Sequence, residues 1–133
     1  MKCPNVWNEP QEDDFKNAQK IVKQYLLRTP FLKVARLSQI LGMEAYIKCE
    51  NLQITGSFKV RGGINLVASL SSTEKRRGVI TASTGNHGQS IAYAASLFGV
   101  HAIIAVPKNA NPLKVDAIER LGGTFVFHGN DFN

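Results

Sequence analysis

Thr55-Gly56-Ser57-Phe58-Lys59-Val60-Arg61-Gly62-Gly63 is a turn of small residues that delivers one lysine to the start of a helix. Helix N-termini carry partial positive charge and favour anions, so a cation in the first turn is locally disfavoured. A bound anion or a covalent change to the amine would relieve it. The free N–H groups of such a helix start also form a cradle for phosphate or carboxylate. A lysine beside an anion cradle points to a carbonyl cofactor held as a Schiff base, with its phosphate nearby. The competing reading is a surface lysine on an ordinary helix. Against it stands the pair Gly62-Gly63, because each glycine inside a helix costs about 1 kcal/mol relative to alanine. Tolerating the pair predicts close packing there. A lysine in a desolvated site loses its proton readily and becomes a nucleophile.

Outward from this turn, apolar periodicity divides the chain into alternating elements. Upstream, residues 1–12 read as a loose arm, and Asp13 or Asp14 can cap a helix running to about Leu27, with Phe15, Ala18, Ile21, Val22, Tyr25 and Leu26 at helical spacing. Thr29-Pro30 stops it. Phe31 to Val34 is extended, a short helix ends at Gly42, and Glu44 to Glu50 alternates as a strand with Ala45, Ile47 and Cys49 on one face. Downstream, a helix carries Phe58, Ile64, Val67 and Leu70. Val79 to Ala82 is a short buried strand, and an Ala-rich helix with Ile91, Ala94, Ala95 and Phe98 stops at Gly99. His101 to Val106 is a strand of the kind buried on both faces. Asn111 caps a helix with Pro112 at its first position. That helix ends at Gly122-Gly123, before a strand over Thr124 to His128. Strands alternating with helices give an α/β class with a mainly parallel sheet. Such a sheet needs helices on both faces, so more chain is expected beyond Asn133.

Composition narrows the class further. With 133 residues, 44% of them hydrophobic, the chain can bury one core. It has no apolar run near the ~20 residues a membrane helix requires, and its N-terminus lacks the apolar stretch of a secretory signal. Cys3 and Cys49 make neither a disulfide framework nor a metal spacing, and read as free thiols in a reducing, cytoplasmic compartment. The formal charge is +6. Its basic residues are scattered, and the one run, Lys75-Arg76-Arg77, reads as an exposed loop. A nucleic-acid surface would interleave aromatic and basic residues on one face, and none is seen.

A second turn of small residues, Ser83-Thr84-Gly85-Asn86-His87-Gly88-Gln89, lies at the carboxyl end of one strand and opens the next helix. Open α/β sheets bind ligands at such ends. Backbone N–H groups of Thr84 to Gly88 could hold a carboxylate or phosphate; alternatively, this is a tight turn with Asn86 as an ordinary cap. It is not a dinucleotide fingerprint, because Gly85 and Gly88 alone do not make that motif. His87 reads as a base or as a structural hydrogen-bonder, and Phe58 as a core residue or as the flank of a flat ring. His101 and His128 have no metal-ligand spacing.

Taken together, the motifs carry a resemblance. Glu50-Asn51-Leu52-Gln53 followed by Thr55 to Gly62 closely resembles the cofactor-lysine segment of fold-type II pyridoxal-phosphate enzymes, which are tryptophan synthase β-like in fold. Ser83 to Gln89 resembles their substrate-carboxylate loop. Phe58 and the pair Asn86-His87 place the likeness with the threonine/serine dehydratase and serine racemase branch; Arg28-Thr29-Pro30-Phe31 and the run from Val106-Pro107 through Pro112, Lys114 and Gly122 also resemble it. The similarity covers roughly residues 13–129.

The resemblance implies that Lys59 binds pyridoxal 5'-phosphate and, once released by the substrate amine, acts as base at Cα. Asn86 would hydrogen-bond the ring's phenolic oxygen, and Phe58 would pack on the ring. Ser83, Thr84, Gly85, Asn86 and His87 would hold the substrate carboxylate, mostly through backbone N–H groups. Thr84 stands where racemases of the branch place a serine and dehydratases often have alanine. It keeps a hydroxyl but adds a methyl, which favours elimination over racemisation. The implied reaction converts L-threonine or L-serine to a 2-oxo acid and ammonia.

The chain departs from the pattern in length. It lacks the glycine-rich phosphate loop and the residue that pairs with the pyridine nitrogen. Residues 1–54 are therefore expected to be the N-terminal portion of a large domain, and residues 55–133 most of the small domain, with the remainder of the large domain absent. The isolated chain is expected to be an inactive N-terminal fragment; a full-length form could pair as a homodimer. The alternatives are a non-catalytic chain that binds a partner, or the same fold used for serine racemisation or threonine synthesis.

Overall fold

The computed structural model describes residues 9–130. The arm expected over residues 1–12 lies, for residues 1–8, outside the described part. Helix α1 spans Glu12–Val22. Gln11 precedes it, and Asp14 Oδ2 accepts a hydrogen bond from the Gln11 N–H at 2.8 Å. Asp14 thus reaches back from inside the first turn instead of standing before the helix as its cap. The expected continuation to Leu27 tightens into turns. Gln24 and Tyr25 donate three residues back, to Ile21 and Val22, the pattern by which helix ends satisfy orphaned carbonyls.

Strands β1 (Phe31–Lys33) and β2 (Tyr46–Lys48) form a two-stranded antiparallel sheet with Leu32 opposite Ile47. Between them lies α2 (Ala35–Leu41), closed by Gly42 in the left-handed conformation at φ 65°. A stacked Phe31–Tyr46 pair and a Lys33–Glu44 ion pair tie the hairpin. β2 is shorter than the expected Glu44–Glu50 run, because Glu50–Leu52 turns into a 3₁₀ helix. The expected alternation buries Ala45 alone: Ile47 is exposed and Cys49 half-buried.

The second sheet is parallel, in the order β3-β4-β5, with β3 Val79–Ala82, β4 Ala102–Val106 and β5 Thr124–Phe127. α5 (Asn86–Leu97) connects β3 to β4, and α6 (Pro112–Arg120) connects β4 to β5. α5 packs on β3 and β4, α6 packs on β5, and the two helices touch, so they cover the same face of the sheet. Pairing of Ile80 with Ile103 and of Ala105 with Val126 puts these residues on one face, and Ala102, Ile104 and Val106 on the other. The second set is fully buried. On the first face Ile80 is 72% exposed, so among the described residues the cover lies over one face only.

α3 (Lys59–Ser69) packs on α5, and completes the core with Val60, Ile64 and Val67 against Ile91, Ala94 and Ala95. Burying such a side chain contributes roughly 1.5–3 kcal/mol. Phe58 does not join that core: it stands immediately before α3 and is 60% exposed. The Lys75-Arg76-Arg77 run, expected as a loop, is the last turn of α4 (Ser72–Arg77). Its start is a capping box in which Ser71 Oγ accepts from the Glu74 N–H and Glu74 accepts from the Ser71 N–H. The three cations sit at the negative end of the helix dipole, where they are favoured.

Candidate functional site

Lys59 is the first residue of α3, and its amine lies 5.4 Å from the centre of the Phe58 ring. No side chain among the described residues caps this helix. In the loop before it, Thr55 Oγ1 and Ser57 Oγ are buried without a hydrogen-bond partner. Buried hydroxyls are rarely left unpaired, so the turn has unmet polar capacity beside an amine. Lys59 itself is exposed, and the apolar enclosure expected around it is not supplied by the described residues.

The second turn is built by close approach. Ser83 extends the ladder of β3, donating its N–H to Ala105 at 3.1 Å. The chain then reverses into α5 so tightly that a Cβ on Gly88 would meet the Ser83 carbonyl oxygen at 2.8 Å and Ile104 at 3.1 Å. Gly88 therefore has to be glycine for the helix to begin directly over the strand end. Ser83, Thr84 and Gly85 are half-buried; Asn86 and His87, the first residues of α5, are exposed. Asn86 is not the cap of α5; Gly85 holds that position, with no side-chain cap among the described residues. The first N–H groups of a helix have no partner within it, so this end offers donors to an anion. His87 Nε2 lies 3.0 Å from Thr81 Oγ1, the geometry of a structural hydrogen-bonder.

The helices that follow the two turns, α3 and α5, pack on each other. A Cβ on Gly63 would lie 2.6 Å from the Ser90 carbonyl oxygen, so the helices touch backbone to backbone. Gly63 is four residues from Lys59, and Ser90 is four residues from Asn86. Each helix start thus lies about 6 Å of helical rise from the shared contact. The close packing expected of the glycine pair belongs to Gly63; Gly62 has nothing near it.

Sequence reasoning assigned no role to the group that ties this site to the N-terminal half. Glu50 Oε2 accepts from Arg61 Nε and Oε1 from Arg61 Nη2, both at 2.7 Å. Thr29 Oγ1 donates to Oε1 at 2.5 Å. Gln53 Nε2 donates to the Leu27 carbonyl, and Lys48 Nζ to that of Thr29. The Arg61 hydrogen bonds, helped by Thr29 and opposed by burial, bring the Glu50 carboxyl down to about 2. The available signal was an arginine in the first turn of a helix that has no acid there. A cavity of about 700 Å³ lies behind this network, lined in part by Val22, Leu26, Arg28, Lys48 and Arg61, and not by Lys59 or Ser83–His87.

An amine, two orphaned hydroxyls and two uncapped helix starts fit a ligand bearing both a carbonyl and anionic groups. Comparison with known proteins agrees in kind. A family model described as pyridoxal-phosphate dependent enzyme matches residues 22–133. The chain is 44% identical over 121 residues to an L-threonine ammonia-lyase of Thermotoga maritima, covering 91% of this chain and 30% of that protein. It is 43% identical over 111 residues to a serine racemase of Dictyostelium discoideum, covering 84% and 34%. The crystal structure of a serine racemase from Dictyostelium discoideum superposes with a TM-score of 0.83 at 41% identity, covering 88% of this chain and 38% of the other. A processed threonine deaminase from Solanum lycopersicum gives 0.79 at 35% identity, covering 92% and 37%. The chain spans about a third of the length of these curated relatives.

Proposed function

The chain belongs to the pyridoxal-phosphate-dependent enzyme family, and from that premise we propose that it is the lysine-bearing part of a threonine/serine ammonia-lyase. The reaction is β-elimination: the β-hydroxyl and the Cα proton leave, and the later release of ammonia returns a water and yields the 2-oxo acid. Bound at Lys59, pyridoxal phosphate supplies an electron sink that acidifies the substrate Cα–H. Lys59 Nζ would hold the cofactor and, once freed, would move the Cα proton. Phe58, already beside that amine, would flank the cofactor ring, and Asn86 would hydrogen-bond its phenolic oxygen. The open N–H groups at the start of α5, with Ser83, Thr84, Gly85 and His87 around them, orient the substrate carboxylate. Thr84 bears a hydroxyl on the same turn, and its methyl favours elimination over racemisation.

The observation that carries this reading is the backbone contact of Gly63 with Ser90, which sets the lysine and the anion-binding turn on two helices a fixed few residues from one crossing. The two separate sheets support assigning residues 1–54 to a large domain and 55–133 to a small one. No helix among the described residues is long and apolar enough to cross a membrane, and Cys49, a free thiol among the described residues, fits a reducing, cytoplasmic setting.

Two experiments test the proposal. Borohydride reduction in the presence of pyridoxal phosphate, followed by peptide mapping, should place most of the label on Lys59; an even spread over surface lysines would refute it. A chimera in which this chain replaces the matching segment of the Thermotoga maritima enzyme should release 2-oxo acid from L-threonine. A chimera that instead inverts L-serine without releasing ammonia would assign the site to racemisation.

A further inference from the structure

Lys59 and Arg61 occupy the first and third positions of α3, and its first turn contains no acidic residue. Two cations at the positive end of a helix dipole disfavour that turn. The compensating charge comes from another element, the 3₁₀ turn that carries Glu50. Its carboxylate grips the guanidinium through both oxygens at 2.7 Å. The Glu50 side chain is only 15% exposed. Thr29 fills a further acceptor site, and Gln53 Nε2 reaches Oε2 at 3.5 Å. Two-point contact of this kind fixes the direction of an arginine as well as its position.

That direction bears on Lys59 through helical geometry. Residues two apart on an α-helix leave it about 200° apart, whereas residues four apart share a face. Pinning Arg61 toward Glu50 therefore turns Lys59 to the opposite side of α3. That is the side of Gly63, which rests on Ser90 of α5.

We propose that Glu50 is a positioning residue for Lys59: by clamping Arg61 on one side of α3, it holds the first turn so that Lys59 leaves on the side of α5 and the Ser83–His87 turn. Its consequence for cofactor attachment rests on the function proposed above.

The test compares the wild-type chain with E50Q and E50D at a temperature where circular dichroism shows all three folded. In E50Q, amide exchange over residues 61–64, whose N–H groups close the first turn of α3, should quicken by about tenfold or more while the interior of α5 is unchanged. The label trapped by borohydride from pyridoxal phosphate on Lys59, relative to exposed Lys20, should fall by roughly tenfold. E50D, which keeps the charge on a shorter arm, should recover part of both. A lower melting temperature in E50Q with unchanged exchange at 61–64 and an unchanged Lys59-to-Lys20 ratio would overturn the proposal and leave Glu50 a purely structural residue. A wild-type chain with no preference for Lys59 would count against the function proposed for the site, and amide exchange alone would then decide the role of Glu50.

Discussion

Residues 9–54 and residues 55–130 are built on different physical terms. In the second region Val60, Ile64, Val67, Ile104, Val106 and Ile118 are almost completely sealed, and helices touch backbone to backbone at Gly63. In the first, Val22 and Ala45 are the buried apolar residues among those described, while Leu27, Phe31, Ile40, Met43 and Ile54 stay exposed. The first region is held to the second by polar contacts at Glu50 and by α1 against α3. Apolar burial therefore stabilises one region and reaches the other through Ile21, Val22 and Leu26, while hydrogen bonds to a carboxylate register the two. The candidate site lies at this join, where Lys59 begins the packed region directly after the loose one.

This contrast can be broken at its strong end first. Gly63→Val should cost about 4 kcal/mol or more and unfold the chain, because the obstructing atom is a backbone oxygen that cannot move aside. A urea titration checks it, and a cooperative transition near the wild-type midpoint would show that α3 and α5 can separate cheaply. Ile104→Ala should remove about 3 kcal/mol through transfer and cavity terms, seen as a lower midpoint with an unchanged slope.

At the join, Glu50→Gln should cost about 2 kcal/mol, since it leaves Arg61 half-paired. The acid dependence follows in sign. The carboxyl ionises at about 2 when folded instead of 4.5, so its contribution is complete above 4.5 and is lost as pH falls toward 2. Wild type should lose stability across that window, and E50Q should lose less; parallel acid titrations of the two proteins would contradict it. The smallest effect belongs to the loose region. Ile40→Ala should change stability by no more than about 0.5 kcal/mol, and a loss comparable to that of Ile104→Ala would mean that α2 shares the core that Val22 of α1 joins.

Much of the packed region was legible in the sequence. Pro112 after Asn111 marked the start of α6, and Asn111 accepts from the Leu113 N–H as a cap should. The β4 run and the glycines ending α5 and α6 were equally plain, because each signal is local to the backbone that reads it. What was missed depends on competition between signals. The charge run at Lys75–Arg77 outweighed the Ser71–Glu74 capping box. The apolar spacing that offered Phe58 as a core residue of the helix ignored that α3 begins only at Lys59. For the site, both small-residue turns were visible as motifs, but the Glu50–Arg61 clamp was not, since its partners are eleven residues apart and lie on different elements.

The sequence alone determined which residues could form strand and helix, where two small-residue turns would open helices, and which lysine stood at a helix start. Those are properties of short segments and of the groups they leave unpaired. Only the tertiary structure decided that the helices after those turns touch at Gly63 and Ser90, that Phe58 stays outside the core, and that the charge missing from the first turn of α3 comes from Glu50. Each of these is a contact between segments, and its geometry exists only once the segments have packed.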